Sequence, residues 1–434
     1  MKPLFQMIRK TYQLAENDGS RQVMNNVASL SGLQAITFLL PIVVVPYLFQ
    51  VIGPEKFGLV AFAQAFVQYF MILTDYAFNI TATREISLCQ DNKALISEIF
   101  SAVMTARLVL TALGLLAFCA LVMFVPRFSD DRILYTLTFG TVIGNALFPM
   151  WLFQGMEKME YITKLKMLGE FSAAFGIILF IRGPQDYLTV PLIYASVLLG
   201  TGMLALVIAF RKLGLVFKFP GFGRVRQELE AGRELFLSIV AINAYTSTRV
   251  FAVGLMTSNT LTGFYSIAER ISNVAQTFPL SSFSQAIYPR LSNIYRRNSA
   301  MAFRLMQEIQ HITIYISLIC LPLIFIAAPL ILRVVCGGDY PQATMTLRLL
   351  ILSVFFISAN AFRVQFLLVC GRTQTYSRIH ITMALIGLPL LILLIHSFSY
   401  LGAAMATVII EAGTFTLTWI KVLELRKNFT AVAS

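Results

Sequence analysis

The chain is 434 residues long, 57% hydrophobic and 13% charged, with a mean hydropathy of +0.75. That composition excludes a soluble protein and is long enough for a dozen membrane crossings. The formal charge of +13 would suit nucleic acid in a soluble chain, but here the basic residues sit mostly between apolar runs. Membrane topology therefore accounts for them, and no nucleic-acid partner is expected.

The N-terminus carries Lys2, Arg9 and Lys10 with no short apolar run and small-residue cleavage site behind them, so the first span is expected to stay as an uncleaved anchor. The stretch from Gln34 to Arg84 then sets the pattern. It is an apolar span broken by Pro41 and Pro46, a Gly53-Pro54-Glu55-Lys56 turn, and a second span holding Asp75 and Asn79. Prolines inside a span free backbone groups that lipid cannot satisfy, so this hairpin is expected to face an interior.

A crossing needs about 20 mostly apolar residues. By that measure there are twelve, at about residues 28–51, 57–80, 99–125, 133–154, 163–181, 188–210, 234–256, 263–288, 309–332, 343–368, 379–396 and 400–422. Span five is the weakest, because Glu170 lies inside it. Placing both termini and the even-to-odd connections on one side gives that side 24 basic residues against 5 on the other, which predicts cytoplasmic termini. The turns on the far side are all short.

The two longer connections are cytoplasmic. Arg211 to Arg233 contains Lys218-Phe219-Pro220-Gly221-Phe222-Gly223 and divides the chain nearly in half, so it reads as the linker between a lobe at 1–214 and a lobe at 215–434. Arg290 to Glu308 reads either as an ordinary basic loop or as a helix lying on anionic headgroups. Shifting the first hairpin by 205 residues sets Gly58-Leu59-Val60-Ala61-Phe62-Ala63-Gln64 over Gly263-Phe264-Tyr265-Ser266-Ile267-Ala268-Glu269. Both hairpins run the same way, which predicts parallel repeats about an axis along the membrane normal, with a site between them.

Charges inside a bilayer are costly and usually face an interior. The spans keep Asp75, Arg107, Arg249, Glu269, Arg270, Arg348, Arg363 and Glu411. Arg107 and Glu411 fall nearest the midplane, and depth favours a cavity position for Arg107 and Arg249. For Arg348 and Arg363, snorkelling to headgroups is an equal alternative. Arginine offers a planar fork matched to phosphate oxygens, so an interior richer in arginine than carboxylate fits an anionic cargo.

Enzyme signatures are weak. There is no phosphate-binding P-loop, and Gly221-x-Gly223 lacks the strand-turn-helix setting of a nucleotide site. Asp130-Asp131 is flanked by Arg127 and Arg132 and reads as a solvated turn. His311, His380 and His396 have no partner spacing, and Cys89, Cys119, Cys320, Cys336 and Cys370 show neither metal spacing nor a disulfide framework. No cofactor or metal is expected. Gly140-x-x-x-Gly144 reads as helix packing. In Pro149-Met150-Trp151-Leu152-Phe153-Gln154-Gly155-Met156-Glu157-Lys158-Met159, physical chemistry alone makes Trp151 an interfacial belt residue and Gly155 a helix stop.

That last segment also resembles Wzx-type O-antigen flippases of the polysaccharide transporter family. So do Pro46-Tyr47-Leu48, Gly53-Pro54-Glu55-Lys56-Phe57-Gly58, Asp75-Tyr76-Ala77-Phe78-Asn79, Arg84-Glu85-Ile86, Tyr265-Ser266-Ile267-Ala268-Glu269 and Tyr288-Pro289-Arg290-Leu291-Ser292. Ala77 stands where the family pattern has glycine, which bears on the local helix turn. The resemblance implies the all-α, twelve-helix, two-lobed fold of the multidrug/oligosaccharidyl-lipid/polysaccharide superfamily, with spans one, two, seven and eight lining a central cavity. It places Asp75, Asn79, Asn243, Arg249, Glu269 and Arg270 at or near that cavity.

It further implies a non-enzymatic carrier of the bacterial inner membrane that moves an undecaprenyl-pyrophosphate-linked O-antigen unit across the bilayer. Its setting would be membrane lipid, and its partners an O-antigen polymerase and a chain-length regulator. On this reading Arg249, Arg270 and Arg107 hold the pyrophosphate with Asn79 and Asn243 nearby, while Asp75, Glu269 and Glu411 serve ion coupling or charge balance. A multidrug or cation antiporter of the same superfamily is the alternative; a membrane glycosyltransferase or polymerase would need a larger outer loop than any present. The topology has a direct check: cysteine labelling or reporter fusions after residues 130, 185, 260, 338 and 398 are expected to report the extracytoplasmic side. A cytoplasmic signal at two of these sites breaks the twelve-span arrangement.

Overall fold

The computed structural model describes residues 18–431, in which helices joined by short irregular connections form the whole fold and there is no strand; Lys2, Arg9 and Lys10 lie outside the described residues. The first helix runs Asp18–Asp75 and doubles back at Gly53, whose φ of 77° lies in the region a side chain disfavours. Pro54 then opens the second limb, where its missing N–H costs nothing. Spans one and two are these limbs.

Span three is Lys93–Phe124, capped by Asn92 accepting from the Leu95 amide at 3.1 Å. Span four is Arg132–Leu147 continued by Met150–Gly155, span five Met159–Phe180, and span six Thr189–Val207 extended by one π turn at Ile208–Lys212. In the second half, span seven is Phe222–Thr246 plus Thr248–Met256, span eight Asn259–Arg297, span nine Ser299–Cys336 and span ten Pro341–Val369. Spans eleven and twelve share Thr373–Ala431, folded at Ser399.

Seven stretches of the described chain are long and apolar enough to cross a membrane on length and composition alone. Two of them, Leu40–Ser87 and Thr373–Leu425, each turn back and cross twice. Spans five, seven and eight are not among the seven; span five carries Lys166 and Glu170, span seven Arg249, and span eight Glu269 and Arg270.

Within the first lobe, span four packs on span six through its small residues. A Cβ on Gly140 would come within 2.9 Å of the Ala195 methyl, and one on Gly144 within 2.6 Å of the Leu198 backbone. Trp151 departs from the sequence expectation. It is wholly buried, 6.0 Å from the Phe100 ring, because the short helix Met150–Gly155 turns it into the lobe rather than toward lipid. Gly155 ends that helix where Ile86 leaves no room for a side chain.

The lobes meet most closely at one face of the bundle, the face of the short turns. A Cβ on Gly58 would collide with the Asn259 carbonyl, and one on Gly263 with the Pro54 carbonyl. These two contacts interchange under the 205-residue offset of the repeat, as a local two-fold between the hairpins requires. Around the crossing, Gln50 donates to the Val335 carbonyl at 2.9 Å, Arg127 to the Gly254 carbonyl at 2.8 Å, and Phe62 stacks on Phe251 at 5.5 Å.

At the opposite, basic face the linker lies on the first lobe. Leu213, Leu215 and Val225 are buried there, and the Lys218 amide donates to Ser101 at 3.1 Å. Arg224 pairs with Glu85, Glu98 and Glu228. Arg290 to Glu308 is neither a loop nor a surface helix: it is the meeting ends of spans eight and nine at Asn298, with Leu291 and Phe303 buried. The Arg290 side chain lies outside the described residues.

The crossing predicts that Gly58→Val parts the turn face. With Gln50→Cys and Val335→Cys in place, cross-linking by a short bifunctional thiol reagent should fall to a small fraction at unchanged abundance. Undiminished cross-linking would show that the backbones absorb the side chain.

Candidate functional site

Three clusters of polar groups occupy the interior, and the first two form where a helix is interrupted. The first lies within the first lobe. Span two ends at Asp75 because Tyr76 turns left-handed at φ 52°, a strained value for an aromatic residue. Tyr76 is held there by its hydroxyl donating to the Leu229 carbonyl at 3.0 Å and by stacking on Phe236 at 4.4 Å. Ala77, at φ 178°, is simply extended, so the expected glycine is not needed at that position.

Span four breaks at Phe148–Pro149, which frees carbonyls in its last turn. Arg107 takes up both breaks. Its guanidinium bonds Asp75 at 2.6 Å, the Asn145 carbonyl at 3.0 Å and the Phe148 carbonyl at 2.9 Å, while Asn145 also donates to Asp75 at 3.0 Å. Arg107 is only 2% exposed. Sequence depth put it among the cargo-binding arginines; the structure commits its donors to fastening spans two, three and four together. Asn79 lies one turn past Asp75, half-buried, its side chain without a hydrogen bond among the described residues.

The second cluster is in the second lobe, at the interruption of span seven. Asn243 braces that break, donating to the Ile239 carbonyl at 2.9 Å and accepting from Ser247 at 3.1 Å. Just beyond, Arg249 sits 3.2 Å from Glu269 and 3.4 Å from the Thr407 hydroxyl, with Glu411 one turn further along span twelve and within electrostatic reach. Its neighbour Thr248 accepts from Tyr69 of the first lobe at 2.8 Å, so the cluster adjoins the seam.

The third cluster joins the lobes. Arg270 donates to Gln64 of span two at 2.9 Å and lies 5.7 Å from the Phe57 ring. It lines a small cavity of about 50 Å³ with Pro41, Val44, Glu170 and Tyr194. Pro41 thus lies beside an interior void, where a span missing a backbone hydrogen bond is tolerable. Glu170, Tyr194 and Lys166 are site residues that the sequence reading missed. In the sequence Glu170 registers only as a flaw in span five, and Lys166, within the same span, is not singled out. The signal was their spacing: Lys166 and Glu170 lie four residues apart, on the face opposite the lipid-exposed Phe171, Phe175 and Ile178.

Arg348 and Arg363 stay within the second lobe. The former donates to the Phe325 carbonyl at 3.3 Å, and the latter lies over Phe415 and Trp419 at 4.7 and 4.8 Å. No group of three or more His, Cys, Asp or Glu among the described residues could hold a metal ion.

This arrangement has relatives. Residues 23–295 match the polysaccharide biosynthesis protein family. The chain belongs to that family. The match takes in Asp75, Arg107, Arg249, Glu269 and Arg270, and stops short of Glu411. A protein of Escherichia coli (strain K12) named as an O-antigen transporter is 29% identical over 405 residues, 91% of this chain and 95% of that one. A Shigella dysenteriae protein of the same name is 24% identical over 394 residues, 89% and 96% of the two chains.

Among solved structures, the lipid II flippase MurJ in an inward closed conformation superposes with a TM-score of 0.74 at 13% identity, covering 92% of this chain and 87% of that one. A multidrug resistance MATE family transporter of the MOP superfamily, inward-facing, gives 0.69 at 15% identity over 94% and 99%. The two-lobed fold is therefore the one these two structures share, and the chain is a multi-pass membrane protein.

The Arg107 cluster yields a stability prediction. Arg107→Ala leaves Asp75 and two carbonyls without their donor, and should cost about 3 kcal/mol, the low end for a broken buried pair because Asp75 keeps some solvent. Thermal unfolding of the purified protein should show the loss, and Arg107→Met with Asp75→Asn should recover part of it. A stable Arg107→Ala protein that fails only in transport would return Arg107 to the cargo site.

Proposed function

We propose that this protein flips an undecaprenyl-pyrophosphate-linked O-antigen oligosaccharide from the cytoplasmic to the periplasmic leaflet of the bacterial inner membrane. The basic face is then cytoplasmic, with both termini on it, and the turn face periplasmic. The observation that carries the reading is the placing of two arginines from neighbouring spans beside the seam between the lobes. Arg270 lies seven residues below the Gly58–Gly263 crossing, about 10 Å along the helix, and Arg249 a similar depth below Met256. Both are too far inside to reach headgroups easily, and each presents a fork suited to phosphate oxygens.

The lobes, taken as units at 1–214 and 215–434, rock about the crossing to open one face and then the other, while the polyprenyl tail stays in lipid. Asp75 balances Arg107. Glu269 holds Arg249 between cargoes, which leaves Glu411 as the carboxylate for a coupling cation. A polymerase and a chain-length regulator would act on the delivered product. The antiporter alternative calls for a carboxylate-lined cavity with arginines out at the headgroups; here Arg249 and Arg270 lie among the carboxylates, which favours the anionic cargo.

The test is O-antigen display in a strain dependent on this transporter. Arg249→Ala should lose most of it and Arg249→Lys part of it, at unchanged membrane abundance, because lysine supplies charge without the bidentate fork. Normal display from Arg249→Ala would remove the proposed role.

A further inference from the structure

Lys166 differs from the other interior cations. Arg107 is bonded to Asp75, Arg249 paired with Glu269, and Arg270 bonded to Gln64. The Lys166 ammonium has no hydrogen bond or ion pair among the described residues, although Asp75 and Glu170 lie within electrostatic reach. Its side chain is exposed although it lies on the side of span five turned away from the lipid-facing stripe.

Its direction follows from span five itself. Leu168, Phe171, Phe175 and Ile178 form the exposed, lipid-facing stripe, and Lys166 projects from the far side of the same helix. One turn further along, about 6 Å, Glu170 lines the small cavity that Arg270 also lines. Lys166 lies seven residues in from the basic-face end of span five at Met159, so it comes before Arg270 on any path from that face. An uncommitted ammonium there needs a reason, since a cation inside a span is expensive without a partner.

We propose that Lys166 is an entry subsite for the phosphate oxygens of the cargo headgroup, which it receives from the basic face and passes inward toward Arg270. The assignment rests on reading the cargo as a lipid pyrophosphate. Lysine suits an entry position: it attracts phosphate as a point charge without the fixed two-bond geometry of arginine, so it binds in many orientations and releases readily. Glu170, within electrostatic reach, keeps the empty subsite nearly neutral. It also disfavours a headgroup that stays rather than moves on.

The experiment uses the whole protein in nanodiscs with farnesyl pyrophosphate as the probe and farnesol as the neutral control, binding being followed by thermophoresis. Wild type should bind the pyrophosphate more tightly than farnesol. Lys166→Ala should weaken pyrophosphate binding by about tenfold, the worth of one charge-assisted hydrogen bond, and leave farnesol unchanged. Lys166→Arg should restore most of it, which a merely structural lysine would not require. A cysteine in place of Lys166 should react with a thiol reagent supplied from the basic face and be shielded by pyrophosphate. If wild type shows no preference for pyrophosphate, the cargo reading itself fails. If wild type shows it and Lys166→Ala matches wild type, the subsite is overturned while the cargo reading stands.

Discussion

The close passage of span two over span eight at Gly58 and Gly263 fixes much of what lies beneath it. Without side chains at these two positions, each backbone nests against a carbonyl of the other, Pro54 or Asn259, and the turn face closes on itself. Lipid offers no hydrophobic drive for helices to associate, so contact of this kind, reinforced by the Gln50 and Arg127 bonds, has to hold the seam. The same pairing brings the two hairpins of the repeat into register. That register puts Gln64 and Glu269 at matching positions, and Arg270, next to Glu269, reaches Gln64 across the interface.

Below the crossing, the placing of polar groups follows the interruptions of the helices. A broken span leaves carbonyls and amides that hydrocarbon cannot satisfy, so each break needs a donor or acceptor from a neighbour. The breaks after Asp75 and at Phe148–Pro149 share Arg107, and the break at Ser247 is braced by Asn243. Some of the costly intramembrane groups are therefore structural, and only those left over after the backbone is satisfied are candidates for cargo. Arg249, Arg270, Lys166 and the glutamates around them make up that remainder.

This division explains what could be read from the sequence. Span positions, the parallel hairpins and the interior placing of Arg249 and Arg270 follow from length, charge bias and spacing, which are one-dimensional quantities. Depth along a helix is one of them, and it was right that Arg107 is too deep to snorkel. Direction around the helix axis is not, and it decides whether a deep arginine faces a cavity or a broken neighbour. Trp151 was misplaced for the same reason, since a tryptophan near the end of a span suits a headgroup belt until the Pro149 break turns it inward. Lys166 and Glu170 were passed over because charge within span five counted only against its being a crossing, although a helix that faces a polar interior has to carry it.

The mixture of charges also bears on turnover. A site of bare arginines would bind pyrophosphate strongly and keep it, since each charge-assisted bond inside a low-dielectric chamber resists being given up. With Glu269 already 3.2 Å from Arg249, an arriving phosphate has to compete with a carboxylate for the guanidinium, and a departing one leaves the guanidinium with a partner rather than alone. The pairing lowers affinity and avoids the cost of an empty buried cation, so the resting and loaded states lie closer in energy. A carrier that rocks between two faces needs such near balance, because a cargo held much more tightly in one state would shift the lobes toward that state and hold them there.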